Sequence, residues 1–122
     1  MKVFLTGDRS MPEPLALMTA ASTIAQVTME AAAAETNVVF STGDNGGFEQ
    51  GVRAILKSLN VDHQVIPTGV NPETKKPAWD TRHEVANAAC EKAVFVHTDP
   101  LSSSIGSSLM KVMGDKVTMA TI

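Results

Sequence analysis

The sequence predicts an α/β fold of three layers, with a five-stranded, mainly parallel sheet and about four helices. Three observations carry this reading. Short β-branched or aromatic apolar runs alternate with longer segments of helical period. The first, second and fourth of those runs are continuously apolar rather than alternating, as parallel strands covered on both faces are. The segments between them are long enough for the helical crossovers that parallel strands require.

The strands are expected at Lys2–Thr6, Val38–Thr42, Val61–Pro67, Ala93–Thr98 and Lys116–Ile122. The last of them alternates somewhat and is expected at a sheet edge. Leu17, Ala20, Ile24, Val27 and Ala31 step by three and four residues, which predicts a first amphipathic helix. Pro12 and Pro14 suit its first turn, where a missing N–H costs nothing. Phe48, Val52, Ile55 and Leu59 form the stripe of a second helix, and Val85, Ala89 and Ala93 a short third one. Leu101, Ile105, Leu109 and Val112 mark a fourth, closed by Gly114. The stretch Thr68–Pro77 reads as a long irregular loop, a kind of segment that is usually functional.

Composition bounds the function. The chain has 122 residues, 43% hydrophobic and 19% charged, which excludes disordered and low-complexity classes and fits one domain spanning 1–122. A formal charge of −3 argues against broad electrostatic attachment to nucleic acid or an anionic membrane. A single cysteine excludes an intrachain disulfide framework and fits a reducing compartment. The opening MKVFLTGDRS is too short an apolar run for a signal peptide, and Leu15 to Ala34 is interrupted by Gln26 and Glu30. A cytoplasmic location without membrane attachment is the expectation.

In a doubly wound sheet, ligands lie beyond the C-terminal ends of the strands, where the strand order reverses. Two loops there have suitable chemistry. Ser41-Thr42-Gly43-Asp44-Asn45-Gly46-Gly47-Phe48-Glu49 runs from a strand directly into a helix, whose free N–H groups and dipole favour an anion. The competing reading is a tight turn with glycine for geometry. Thr6-Gly7-Asp8-Arg9-Ser10 offers an arginine able to fork onto phosphate, or to pair with Asp8 or Glu13 at the surface.

These segments resemble a known family. Val3-Phe4-Leu5-Thr6-Gly7-Asp8-Arg9 is similar to the G-S-R opening of the SLOG superfamily, a Rossmann-like group that includes DNA-processing protein A and the lonely-guy phosphoribohydrolases. Thr42-Gly43-Asp44-Asn45-Gly46-Gly47-Phe48-Glu49 resembles that group's second strand-to-helix turn, S-G-x-A-x-G-I/A-D. Thr81-Arg82-His83 leading to Ala93-Val94-Phe95-Val96 is similar to an R-N…adavva segment of small bacterial and phage members. The resemblance implies a pocket for a nucleotide or nucleotide-derived ligand. Gly7, Arg9 and the backbone of Gly43–Gly47, with Ser10, Asp44, Asn45 and Gly46, would contact it. Glu49 matches the acidic position at the helix start, and Arg82 the arginine opening the third helix.

Two further activities follow from the resemblance. One is N-glycosidic hydrolysis of nucleoside monophosphates, with Glu49, Arg82 and Asp99 as catalytic candidates. After the fourth strand, however, the chain reads His97-Thr98-Asp99-Pro100-Leu101-Ser102-Ser103-Ser104-Ile105-Gly106-Ser107, where the lonely-guy enzymes carry P-G-G-x-G-T-x-x-E. The other is binding of single-stranded DNA, disfavoured because Lys and Arg total only 10 and are scattered.

Other residues have competing roles. Thr98, Ser102 and Ser103 can offer hydroxyls to a phosphate or ribose. His97 and Asp99 can both face the pocket mouth, although a cap for the fourth helix, by Thr98 or Asp99, is the better reading for at least one of them. Trp79 either stacks on a base or plugs the rim of the core. His63, His83, His97 and Cys90 lack metal-ligand spacing, so no cofactor is expected. Cys90 reads as a core residue and His63 as a structural histidine in mid-strand. Lys75-Lys76 is either a phosphate clamp or solvated charge. The seven methionines are mostly core filler, with an exposed subset suited to a homodimer contact.

Overall fold

A computed structural model describes residues 1–98 and 103–122. Its order is β1 (Lys2–Gly7), α1 (Glu13–Ala33), β2 (Val39–Gly43), α2 (Phe48–Ser58), β3 (His63–Ile66), α3 (Trp79–Ala89), β4 (Lys92–His97), α4 (Ser104–Met113) and β5 (Val117–Thr121). The five strands form one parallel sheet in the order β3-β2-β1-β4-β5. The chain therefore builds outward from β1 in one direction, then crosses back to lay β4 on the other side of β1. The reversal lies between β1 and β4.

Alternation along the strands assigns the two faces. Val3 and Leu5 of β1 and Val96 of β4 pack with Ala16, Ala20, Ile24 and Val27 of α1 and Phe48, Val52 and Leu56 of α2. Phe4 of β1 and Ala93 and Phe95 of β4 pack with Ala86 of α3 and Ile105, Leu109 and Met113 of α4. The result is a Rossmann-like sandwich with two helices on each face. β1 and β4 are buried nearly throughout, which is why both read as unbroken apolar runs. β3 and β5 form the edges.

Two helical stripes differ from the sequence-based expectation. In α2 the buried positions are Phe48, Glu49, Gly51, Val52 and Leu56, while Leu59 stands 59% exposed beyond the end of the helix. In α3 the buried face is Arg82, His83 and Ala86, and Val85 points to solvent. Counting apolar residues missed both faces, because polar side chains occupy them. His63 opens β3 rather than lying in mid-strand, and its Nδ1 lies 3.0 Å from the Val61 carbonyl. Leu101 lies outside the described residues. Cys90 is buried at the end of α3, and that burial pushes its thiol pKa up. Among the described residues no helix is long and apolar enough to cross a membrane.

Candidate functional site

At the C-terminal edge of the sheet the two helical layers are tied together by one ion pair. Glu49 sits in the first turn of α2 and Arg82 on α3, and both side chains are fully buried. Arg82 Nη1 donates to both carboxylate oxygens of Glu49, at 3.0 and 2.7 Å. The carboxylate also accepts the Thr6 hydroxyl from the end of β1, and the backbone and side-chain N–H groups of Asn45. Arg82 Nη2 donates to Thr6 Oγ1 at 3.2 Å. A buried carboxylate is tolerable only when so completely hydrogen-bonded. Gly43 makes room for the pair, because a Cβ there would occupy the positions of the Glu49 carboxylate and Arg82 Nη1.

From Arg82 a polar chain runs outward. Its Nη2 lies 3.0 Å from His83 Nε2 and can only donate, so Nε2 is the acceptor and the proton sits on Nδ1. Nδ1 donates to Ser108 Oγ at 2.8 Å, Ser108 donates to Asp80, and Asp80 Oδ2 accepts Lys111 Nζ at 2.8 Å. Burial, together with the Arg82 charge beside it, pushes the His83 pKa down to about 3. The hydrogen bonds from Lys111 and Ser108 lower that of Asp80.

The Gly-rich loop is occupied by the chain itself. Phe48 N–H, at the start of α2, donates to the Asp8 carbonyl at 3.0 Å. Gly47 adopts φ 67°, and its α-carbon presses on the backbone of Asp8 and Arg9 so closely that no side chain fits. Asp44 accepts the backbone N–H and hydroxyl of Thr68, and Asn45 also donates to the Thr68 hydroxyl, tying the β2 loop to the one after β3. Gly7 is buried against Phe48 and Val96. The tight-turn reading describes this loop, and an anion at the α2 N-terminus would have to displace the β1 loop.

An open cleft lies instead at the strand-order reversal. It measures about 320 Å³ and is lined by Asp8, Arg9, Ser10, Trp79, Thr98, Ser103, Ser104 and Ile105. Asp8 Oδ2 accepts the backbone N–H and hydroxyl of Thr98, joining the loops that follow β1 and β4. Ser103 caps α4 by accepting Gly106 N–H at 3.1 Å, and the N–H groups of Ser104 and Ile105 open that helix at the cleft. Arg9 has no carboxylate partner among the described residues, and its guanidinium lies 5.5 Å from the Trp79 ring centroid. The half-buried indole rests in turn on the ion-pair network, with Arg82 4.9 Å from its centroid and the His83 ring stacked at 6.5 Å.

The sequence-derived site thus divides. Arg9, Ser10, Trp79, Thr98 and Ser103 converge on the cleft. Gly7, Gly43, Asp44, Asn45, Gly47, Glu49 and Arg82 shape the sheet edge behind it, and the exposed Gly46 lies outside the cleft lining. The side chains of Glu49 and Arg82 are both fully buried. His97 is buried rather than at the pocket mouth, with its ring stacked on Phe95 at 5.2 Å. Asp99 and Ser102 lie outside the described residues. Sequence reading passed over Asp8 as a clamp, and over His83, Ser108 and Asp80 as a relay. Among the described residues no three His, Cys, Asp or Glu side chains converge as metal ligands would. No family model matches the chain, and neither a curated protein nor a solved structure gives a significant match.

Two outcomes are expected. Arg82→Met strands a buried carboxylate and should cost about 3–5 kcal/mol in urea unfolding. Glu49→Gln added to it should recover much of that loss, and a double variant no more stable than the single one would contradict the pairing. The second concerns acid. Because His83 stays neutral when folded but binds a proton when unfolded, stability should fall as pH drops from about 6.5 towards 3, by up to about 1.4 kcal/mol per pH unit. His83→Asn, which retains a donor for Ser108, should remove that component. An unchanged acid slope in the variant would contradict the assignment.

Proposed function

We propose that this chain binds a nucleotide or nucleotide-derived ligand in the cleft between the ends of β1 and β4. The observation that carries the reading is the convergence there of an arginine with no carboxylate partner among the described residues, a helix N-terminus, several hydroxyls and an indole. Arg9 and the first N–H groups of α4 suit a phosphate, since a fork of donors and the positive end of a helix dipole both favour a tetrahedral anion. The hydroxyls of Ser10, Thr98 and Ser103 suit phosphate or ribose oxygens. Trp79 is backed by Arg82 and His83 and carries the Arg9 guanidinium over its ring, so a base would stack there in place of Arg9. The cleft volume of about 320 Å³ falls at the lower end of small-molecule sites, roughly 300–1,000 Å³.

The phosphate position differs from the one that the SLOG resemblance implies. Its Gly-rich loop is closed by the chain's own Asp8 carbonyl, whereas the α4 N-terminus opens onto the cleft. Sequestration of Glu49 favours binding over N-glycosidic hydrolysis. The one carboxylate lining the cleft among the described residues is Asp8, and its Oδ2 is already engaged by Thr98.

A thermal-shift screen against nucleoside mono-, di- and triphosphates, cyclic nucleotides and ADP-ribose-type compounds tests this. A ligand at about a hundred times its Kd adds about 2.7 kcal/mol, several degrees in a domain of this size. Arg9→Ala should abolish the shift without lowering the unliganded Tm, because Arg9 is exposed. A flat screen on folded protein overturns the proposal, and a salt-sensitive shift with single-stranded DNA alone would replace it. A shift that survives Arg9→Ala moves the ligand out of this cleft.

A further inference from the structure

We infer that Ser108 is a positioning residue for the cleft: it sets the span between the Trp79 indole and the first turn of α4, and so fits the site to a ligand carrying both a base and a phosphate. The inference rests on the nucleotide reading above and adds to it the group that holds the two ends of the site in register. Those ends belong to different helices. Trp79 opens α3, whereas Ser104 and Ile105 open α4. Ser108 lies one turn beyond Ser104 and is buried, and it is not among the residues lining the cleft.

What joins the two helices decides how well the span is held. Their apolar contact sets Ala86 of α3 against a cluster with Ile105, Leu109 and Met113 of α4. Burial of apolar surface is non-directional, and a face as small as that of Ala86 gives α4 little to interlock with. Directional bonds supply the register. A helical serine commonly returns its hydroxyl to a carbonyl one turn back, as Ser107 does to Ser103 at 3.2 Å. Ser108 reaches across instead. Its Oγ accepts His83 Nδ1–H at 2.8 Å and donates to Asp80 Oδ1 at 2.5 Å.

Both partners hold Trp79. Asp80 follows it in the first turn of α3, and the His83 ring one turn on is stacked against the indole with 14° between the planes. His83 is bonded through both nitrogens, to Arg82 and to Ser108, so its ring cannot turn without breaking one of those bonds. Lys111 of α4 also pairs with Asp80, but its side chain is 71% exposed, and a pair so exposed contributes little. Among the described residues, Ser108 is therefore the one buried polar tie between α3 and α4. A ligand that bridges two subsites gains affinity over its fragments only where the subsites lie at its own span.

Titration of wild type and Ser108→Ala with adenosine monophosphate, adenosine and inorganic phosphate tests this, at a temperature where far-UV spectra show both chains folded. Ser108→Ala should weaken adenosine monophosphate by about tenfold and leave each fragment within about twofold, because both ends are intact and only their separation has changed. A role in stability alone would leave all three affinities unchanged in the folded chain. Trp79 is the only tryptophan and tyrosine is absent, so indole emission reads its setting without any ligand. Acrylamide should quench Ser108→Ala more steeply than wild type. Asp80→Ala, at a side chain 48% exposed, removes the acceptor of the Ser108 hydroxyl and should move both readouts in the same direction even if Ser108→Ala does not fold. Lys111→Met should move neither. Fragment affinities that fall together with that of the whole nucleotide, or an unchanged nucleotide affinity or quenching, would overturn the inference. A wild-type chain that binds none of the three contradicts the nucleotide reading instead, and the ligand-free quenching then decides whether Ser108 positions the indole.

Discussion

The buried pair between Glu49 and Arg82 is the constraint around which the C-terminal edge of the sheet is arranged. It joins α2 on one face of the sheet to α3 on the other, passing the end of β2 where Gly43 has no side chain to obstruct it. Its contribution is more to geometry than to net stability, since the desolvation of two charges offsets much of their attraction. The need to satisfy the buried charges recruits Thr6 and Asn45 to the carboxylate and Thr6 and His83 to the Nη2 end of the guanidinium, while Arg82 Nε is left without a partner. Those partners fix the ends of β1 and β2 and the first turn of α3. Trp79 then lies on a platform set by the charge beneath it.

The same constraint divides the sheet edge into a closed half and an open half. On the α2 side, the β1 loop folds over the helix N-terminus and spends the Asp8 carbonyl on Phe48 N–H. On the α4 side, the Asp8 carboxylate instead bridges to Thr98, and the N-terminus of α4 faces the cleft. One residue thus covers the N-terminus of α2 with its backbone and lines the cleft beside α4 with its side chain. The strand-order reversal between β1 and β4 puts the open half where a doubly wound sheet accommodates a ligand.

Much of the architecture was legible in the sequence, because it depends on local pattern. Strands buried on both faces must be apolar throughout, and β1, β2 and β4 are marked within a residue or two of their observed bounds. The faces of α2 and α3 were not legible in that way. Glu49, Arg82 and His83 are buried because they satisfy one another across elements that lie far apart in the chain, and periodicity has no measure of such pairing. The cleft was partly legible. The rule for strand ends selected the loop bearing Arg9 and Ser10, and side-chain chemistry marked Trp79, Thr98 and Ser103. The closure of the Gly-rich loop was not, since glycine demanded by a close backbone approach and glycine demanded by a phosphate leave the same letters.

The claim that the ligand's phosphate lies on α4 rather than on the Gly-rich loop is tested most directly by titrating isotopically labelled protein with adenosine monophosphate and following amide and indole resonances. The account predicts the largest changes at the Ser104 and Ile105 amides and the Trp79 indole, with Gly43, Gly46 and Gly47 nearly still. A response centred on Gly43–Gly47, or no response at the α4 N-terminus, would contradict it.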